Sequence, residues 1–212
     1  DAMTLATCTP QGSPSSRTVL YKGLLDGDFK IFTKHELESD FFDDVDLIIF
    51  PGGDGASDDY DHLLKHHANR IRKFVQNGGR YLGICMGAYW AGSHYFDILD
   101  GVDAVQYIKR PGTDTRRPHA KYLPVTWKGV DTSMYFFDGC AIVGNRRKFT
   151  TVATYANGDP MAIIQNRIGL IGCHPESESH WYDSPSWMQG KYHNGEHHTL
   201  LQNFVDKLIL PN

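Results

Sequence analysis

A cysteine lies at the centre of the most informative stretch of the chain. Gly83-Ile84-Cys85-Met86-Gly87 follows the short apolar run Arg80-Tyr81-Leu82 and precedes Ala88-Tyr89-Trp90-Ala91, which suits a first helical turn. Gly-x-Cys-x-Gly between a strand and a helix is the cysteine form of the nucleophile elbow. The glycines permit a sharp bend, and the first N–H groups of the following helix favour the nucleophilic thiolate of Cys85.

A second stretch supplies the groups that a cysteine nucleophile needs. Gly172-Cys173-His174-Pro175-Glu176 follows a second apolar strand, Arg167-Ile168-Gly169-Leu170-Ile171. A histidine just past a strand end can reach a thiol at another strand end and accept its proton, and Glu176 can hold the imidazole in the accepting tautomer. The sequence therefore predicts a triad of Cys85, His174 and Glu176. The alternative is structural, with a buried cysteine and a surface turn made by Pro175.

A third segment offers backbone donors. Pro51-Gly52-Gly53 comes directly after the apolar strand that ends at Phe50. It forms either a simple tight turn or a loop in which the Gly53 and Met86 N–H groups face one point and stabilise the oxyanion of a tetrahedral intermediate. Asp54 comes next, facing either the pocket or, as is commoner for aspartate here, a turn.

The order and spacing of these motifs resemble the class I glutamine amidotransferase superfamily. Its cysteine elbow is followed about ninety residues later by His-Pro-Glu, as here, and Pro51-Gly52-Gly53 matches its oxyanion loop. A closer resemblance is to the amidotransferase-like domain at the N-terminus of eukaryotic biotin–protein ligases and to stand-alone bacterial relatives, in which the elbow reads Gly-Ile-Cys-x-Gly-Ala-Tyr, as at Gly83 to Tyr89. This resemblance covers most of the chain and is least clear at 94–150.

Tyr89 departs from the superfamily pattern. Members that hydrolyse glutamine usually carry Gln four residues after the cysteine, where it helps to hold the substrate. The resemblance therefore implies intact cysteine chemistry on a substrate that need not be glutamine. Tyr89 itself either lines the pocket or packs on the elbow helix.

The pattern of apolar runs and turn signals predicts how these residues are positioned. Alternating strands and helices imply an α/β fold with a doubly wound, mostly parallel, flavodoxin-like sheet and added antiparallel hairpins. Ligands in such sheets bind beyond the carboxyl ends of the strands. Strands are predicted at 4–8, 29–33, 46–50, 80–84, 122–127, 134–137, 140–143, 151–155, 161–165 and 168–173. Helices are predicted at 13–25, 58–76 and 195–210, with a short helix or irregular turn at 36–42.

Composition favours one soluble domain over residues 1–212. Hydrophobic residues make up 41% of the chain and the net charge is −4, which argues against a nucleic-acid partner. No apolar stretch reaches the ~20 residues of a membrane span. Four cysteines without a C-x-x-C pair predict no disulfide framework, although a Cys8–Cys140 bridge stays open. The lack of an apolar leader favours the cytoplasm, unless a leader was removed before Asp1.

Two groups of histidines and one basic loop could either bind a ligand or simply form solvated surface. The histidine spacings would allow zinc, but no cysteine or carboxylate spacing completes a site, so we expect no metal and no cofactor. Solvated helix faces are expected for His62, His66, His67, His193, His197 and His198. A solvated loop, rather than a site for an anionic ligand, is expected for Lys109, Arg110, Arg116 and Arg117. Cys140 and Cys173 are expected in strands or core.

These residues support two functions of different classes. The first is a thiol amidohydrolase or amidotransferase-like protein acting on a small amide or acyl substrate, with a protein partner supplying any amine acceptor. The second is a non-catalytic binding or regulatory module related to the biotin–ligase domain. We expect no biotin ligase activity, because the chain is too short for that catalytic domain and has no Gly-Arg-Gly-Arg-type loop. A related cysteine peptidase would carry histidine where Met86 stands.

Overall fold

The computed structural model describes residues 2–8, 14–20, 37, 45–52 and 58–210, and within these ranges the chain forms eleven strands and four α-helices. The strands are β1 (Ala2–Cys8), β2 (Pro14–Leu20), β3 (Leu47–Phe50), β4 (Arg80–Ile84), β5 (Val102–Gln106), β6 (Lys121–Trp127), β7 (Val130–Phe136), β8 (Cys140–Gly144), β9 (Thr150–Tyr155), β10 (Pro160–Gln165) and β11 (Ile168–Ile171). The helices are α1 (Asp58–Leu63), α2 (Ala68–Gln76), α3 (Met86–Trp90) and α4 (Glu196–Ile209).

A seven-stranded sheet with the order β3-β4-β11-β10-β9-β6-β7 organises these elements. β4 lies between β3 and β11 and runs parallel to both, with Phe50 opposite Gly83 and Ile84 opposite Ile171. The carboxyl ends of the three parallel strands therefore meet at one edge of the sheet. The three segments singled out in the sequence all begin at this edge, where α/β sheets bind their ligands.

Helices cover both faces of the parallel strands, because successive side chains of a strand point to opposite faces. On one face, Leu82 and Ile84 share a buried core with Phe204 of α4. On the other face, Tyr81 shares a second core with Ile71 of α2. This layering of helices on either side of a sheet with parallel strands confirms the predicted α/β fold class.

Antiparallel strands extend the sheet beyond β11. The pairs β11–β10, β10–β9, β9–β6 and β6–β7 are all antiparallel, so the predicted hairpins are present. β5 pairs with β8 in a separate two-stranded sheet. The sequence pattern did not predict β5, because Asp103 and Gln106 interrupt its apolar run. Cys140, at the start of β8, is a buried free thiol and forms no disulfide.

Two helix predictions differ from the structure. The helix expected at 13–25 is wrong, because Pro14–Leu20 is a strand that pairs with β1 from Cys8↔Pro14 to Ala2↔Leu20. A serine–proline start is a local signal, and strand pairing overrides it. The helix expected at 58–76 is interrupted by a 3-10 turn at Lys65–His67. The expected strand at 29–33 lies outside the described residues, as does the segment at 36–42 except for residue 37.

The closing helix α4 forms where the sequence predicts it and packs against the parallel strands. It follows Gly195 and buries Leu201, Phe204 and Leu208. Arg80, at the start of β4, donates from Nε and Nη2 to the carbonyls of Leu208 (3.1 Å) and Ile209 (2.9 Å), which the helix leaves without intrahelical partners. Of the helices in the described ranges, none is long and apolar enough to cross a membrane.

Candidate active site

Cys85 lies at the apex of a sharp turn between β4 and α3. Its backbone has φ 50° and ψ −103°, a region that non-glycine residues seldom occupy and that is often found at functional sites. The two flanking glycines allow this turn to form against its neighbours. A Cβ on Gly83 would collide with the carbonyl of Gly87, and a Cβ on Gly87 would collide with the carbonyl of Phe50. The elbow therefore needs a residue without a side chain on both sides of the cysteine.

His174 and Glu176 lie beside Cys85, beyond the end of β11. The Nδ1 atom of His174 is 2.8 Å from Oε1 of Glu176, and both side chains are almost fully buried. Cys85 is the other side chain that acts on the imidazole: it raises the pKa of His174, and a Cβ added at Gly52 would lie against both residues. The backbone joins the same two segments, since the Cys85 N–H donates to the carbonyl of Ile171 (2.7 Å). The structure thus places Cys85, His174 and Glu176 next to one another in a row, in which His174 is hydrogen-bonded to Glu176.

The groups beside His174 raise the pKa of its imidazole. Burial by itself lowers the pKa of an imidazole, but the negative charges of Cys85 and Glu176 and the hydrogen bonds to both side chains outweigh burial and raise the pKa of His174 to about 10. A protonated His174 at neutral pH has a positive charge between two groups that can each be negative. A positively charged imidazole beside a cysteine is a common feature of cysteine nucleophiles.

A short loop between β7 and β8 contacts the cysteine, and no motif in the sequence predicted this contact. Sγ of Cys85 lies 3.3 Å from the carbonyl oxygen of Phe137, to which a protonated thiol donates. Asp138 has a positive φ of 47°, and its carboxylate accepts from Nε2 of Gln106 at 3.0 and 3.2 Å. The only sequence signal for this loop is the turn-forming pair Asp138-Gly139.

Tyr89 joins the elbow helix to this loop. Its hydroxyl donates to the carbonyl of Asp138 (3.0 Å), and burial raises the pKa of Tyr89, so the hydroxyl stays protonated. The ring also packs against the core that contains Phe50 and Trp90. Both interpretations of Tyr89 describe part of its environment, since the side chain packs on α3 while its hydroxyl reaches the loop above Cys85.

The predicted oxyanion residues are only partly described. Gly52 lies against the row of three side chains, because a Cβ at this position would collide with Cε1 of His174 and lie 3.5 Å from Cβ of Cys85. Gly53 and Asp54 lie outside the described residues. Met86 begins α3 directly after Cys85. Since the first N–H groups of a helix have no earlier carbonyl to bond, the helix itself does not use the Met86 N–H.

Two aromatic side chains flank His174 and were also missed. The ring of Tyr135 lies 5.8 Å from the imidazole and the ring of Trp181 lies 5.4 Å from it, both edge to face. The two rings contact each other at 5.2 Å. The backbone carbonyl of Tyr135 also accepts the backbone N–H of His174 (2.8 Å). Tyr135 lies within β7 and Trp181 follows the His-Pro-Glu segment, but neither belongs to a recognisable motif.

The second histidine group differs from its expected environment. His193, His197 and His198 are buried, so the prediction of a solvated helix face is wrong for these three. His193 and His198 bond the carbonyl of Ser177, directly after Glu176, and His197 stacks on His193. His62 and His66 are exposed, as expected. Among the described residues no three His, Cys, Asp or Glu side chains are arranged to hold a metal ion.

In the basic loop Arg110 is held by a salt bridge, and two further cysteines are buried in the core. Arg110 forms a salt bridge with Asp159, with Nε 2.7 Å from the carboxylate, so this arginine is fixed within the fold rather than freely solvated as expected. Cys140 and Cys173 are fully buried, and burial raises the pKa of both thiols. Of the three free cysteines that the structure describes, Cys85 is the one that acts on the pKa of His174.

Comparison with known protein sequences finds one matching family and two partly similar relatives. Residues 29–102 match the family model described as "Biotin-protein ligase, N terminal". An uncharacterized protein of Chlamydia muridarum is 30% identical over 150 residues, which cover 59% of this chain and 57% of that protein. A pyridoxine/pyridoxamine 5'-phosphate oxidase of Coxiella burnetii is 57% identical over 35 residues, 16% of this chain and 18% of the oxidase. The chain thus spans less than two thirds of either relative.

Solved structures with the same architecture are glutamine amidotransferase-like. A glutamine amidotransferase of Thermotoga maritima superposes with a TM-score of 0.57 and 14% identity, over 78% of this chain and 79% of that one. The PurLQS structure from Thermotoga maritima gives a TM-score of 0.52 and 16% identity, over 77% and 81% of the two chains. At such identities the likeness establishes the fold. The chain therefore has a glutamine amidotransferase-like fold and contains a segment like the N-terminal domain of biotin–protein ligases.

Proposed function

We propose that this chain is a cysteine-nucleophile amidohydrolase or amidotransferase-like protein that acts on a small amide or acyl substrate. One observation carries the proposal: Cys85, at the positive-φ apex of the elbow, lies beside the buried His174 and raises the pKa of its imidazole, and Glu176 is hydrogen-bonded to Nδ1 of the same ring. A nucleophile, a base and an orienting carboxylate in contact are the requirement for covalent acyl transfer.

The proposed reaction has two stages, in which Cys85 first forms a thioester with the substrate and water then hydrolyses it. The Cys85 thiolate attacks the carbonyl carbon, a C–S bond forms, and the carbonyl electron pair moves to oxygen, where the Met86 and Gly53 N–H groups are proposed to stabilise it. Collapse breaks the C–N bond, and His174 gives its proton to the leaving amine. His174 then takes a proton from water, the hydroxide attacks the thioester, and the thiolate leaves with His174 protonated again. In a transferase, an amine from a partner protein accepts the product of the first stage.

The substrate is left open between glutamine and other small amides because of Tyr89. Its position is the one that the resemblance assigns to a glutamine-holding Gln, and its hydroxyl is bonded to the Asp138 carbonyl. An aromatic side chain tied to the loop above Cys85 offers no amide to a substrate. We therefore propose intact acyl-transfer chemistry with a changed specificity.

A second candidate is a binding or regulatory module. The match of residues 29–102 to the biotin–protein ligase N-terminal family supports it. So does the Phe137 carbonyl, which lies 3.3 Å from Sγ and gives the thiol a neutral partner. In this alternative Cys85 stays a protonated, unreactive thiol, and the site binds a ligand without turnover.

The rate of iodoacetamide labelling across pH, followed by peptide mass spectrometry, separates the two candidates. We expect Cys85 at pH 6.5 to react roughly tenfold or more faster in wild type than in His174→Ala, since the histidine stabilises the nucleophilic thiolate. Cys140 and Cys173 serve as internal controls, because their labelling reports unfolding. A fast Cys85 then justifies a screen for ammonia release that begins with glutamine. A Cys85 that labels slowly, or equally in both proteins, rejects the enzyme and leaves the module.

A further inference from the structure

The residue after Glu176 is fixed by histidines from another part of the chain. Ser177 is fully buried, and its carbonyl lies 2.9 Å from Nε2 of His193 and 3.3 Å from Nε2 of His198. The hydroxyl of Ser177 is 2.8 Å from the hydroxyl of Tyr182. The backbone that carries Glu176 is therefore bonded to two imidazoles directly after Glu176, while His174, before it, donates its backbone N–H to Tyr135 of β7.

The hydrogen bonds of His193 define its tautomer. Its Nδ1 atom accepts the backbone N–H of Gly195 (3.1 Å) and of His197 (3.3 Å). A backbone N–H can only donate, so Nδ1 has no proton and Nε2 donates to the Ser177 carbonyl. A neutral His193 thus bonds the start of α4 with one nitrogen and the Glu176 segment with the other. Burial lowers the pKa of His193 to about 4, in agreement with a neutral ring.

The other ionisable groups around His193 leave its ring neutral. On α4, the ring of His197 stacks on His193 at 4.2 Å and that of His198 lies edge to face at 4.8 Å. Burial first, and then the neighbouring histidines, lower the pKa of His197 to about 3. The rings of Tyr192 and Tyr182 lie at 4.6 and 6.2 Å. Glu176 is the acidic group that acts on His193, and it favours the charged ring without outweighing burial.

We propose that His193 is a positioning residue that fixes Glu176, and through it His174, by tying the Ser177 carbonyl to the first turn of α4. This inference rests on the proposed function, because it assigns His193 a part in holding the reactive row. Glu176 has one carboxylate oxygen on His174 and one buried oxygen, Oε2, without a hydrogen-bond partner among the described atoms. One hydrogen bond in the described part of the chain orients the carboxylate, so the position of the backbone at Ser177 also determines where the carboxylate lies.

Two variants separate the two bonds of His193. His193→Phe keeps a planar ring and removes both bonds. His193→Asn keeps an acceptor near the position of Nδ1, and thus the start of α4, but is too short to reach the Ser177 carbonyl. Leu208→Ala is the matched control, since it destabilises α4 at its other end. We expect both His193 variants to lower the rate of Cys85 labelling at pH 6.5 about tenfold, while the control lowers only the melting temperature.

A second measurement does not depend on the chemistry of Cys85. Nuclear magnetic resonance titration of His174 should give a lower pKa in His193→Asn than in wild type, because a displaced Glu176 no longer stabilises the imidazolium. If the pKa of His174 and the labelling profile match those of wild type in both variants, the inference is overturned. If wild-type Cys85 labels slowly but the pKa of His174 still falls in His193→Asn, the proposed function fails and the positioning role stands.

Discussion

Gly52 lies where any side chain would displace the imidazole of His174. An added Cβ would collide with Cε1, lie 3.0 Å from Nδ1 and approach Cβ of Cys85 to 3.5 Å. We expect Gly52→Ala to move His174 out of line with Cys85 or Glu176 and to lower Cys85 labelling at pH 6.5 by roughly tenfold or more, since small misplacements of reacting groups are costly. Iodoacetamide kinetics would measure the loss.

Gly79→Ala is the control for this substitution. Its Cβ would collide with the ring of Phe74, in the core between α2 and the sheet and not at the elbow. It should lower the melting temperature without changing the pH dependence of Cys85 labelling. Equal losses of labelling in both variants would mean that Gly52 matters only for stability.

Glu176 is one of two negative groups that raise the pKa of His174. Glu176→Gln keeps the shape of the side chain and an oxygen that can accept from Nδ1, but removes the charge. We therefore expect the pKa of His174 to fall from its value of about 10, as measured by nuclear magnetic resonance titration of the ring protons. An unchanged pKa would show that Cys85 alone keeps the imidazole protonated.

The start of helix α4 makes the stability of the protein sensitive to acid. Burial lowers the pKa of His193 to about 4 and that of His197 to about 3, whereas an unfolded histidine titrates near 6.5. Below pH ~6.5 the unfolded chain binds more protons than the folded one, so stability falls as pH falls, by at most about 1.4 kcal/mol per pH unit for each histidine. Above that pH their contribution is complete.

Urea unfolding at pH 7, 6 and 5 would measure this slope. His197→Phe keeps a ring in contact with Tyr122 and His193 but removes one buried titrating group, so its slope should be smaller than that of wild type. His62→Phe, at an exposed position, is the control and should leave the slope unchanged. Identical slopes in all three proteins would show that the buried histidines do not account for acid sensitivity.

The elements that the sequence predicted best are those defined by local pattern. α4 has apolar residues at helical spacing and a glycine before it, and β4 has an apolar run ended by the glycine of the elbow. β2 shows the opposite case, because Ser13-Pro14 satisfies the local rule for a helix start while its pairing with β1 depends on residues elsewhere. β5 was missed because Asp103 and Gln106 interrupt its apolar run, and its pairing partner β8 is more than thirty residues away.

The site as a whole was predictable only where a motif marks it. Cys85, His174 and Glu176 belong to short patterns with a chemical rationale, and the parallel pairing of β4 and β11 then brings the two halves together. Tyr135 lies in β7, whose pairing with β6 the sequence did not reveal; Phe137 follows that strand, and Trp181 lies in a 3-10 turn that no motif marks. Burial of His193, His197 and His198 also depends on where α4 lies relative to Ser177, which helical periodicity alone cannot define.

The order of the strands predicts where the folded protein opens last. β4 has a parallel neighbour on each side and supports cores on both faces of the sheet, whereas β7 pairs with β6 alone in the described sheet. Opening β4 requires the loss of both cores, so its amides should exchange only through global unfolding. Hydrogen exchange with mass spectrometry should show the slowest exchange in peptides covering 81–84 and 168–171 and faster exchange at 130–136. If β7 exchanges as slowly as β4, the antiparallel extension and the parallel strands unfold as one cooperative unit, and the reactive row is then no more rigid than the rest of the sheet.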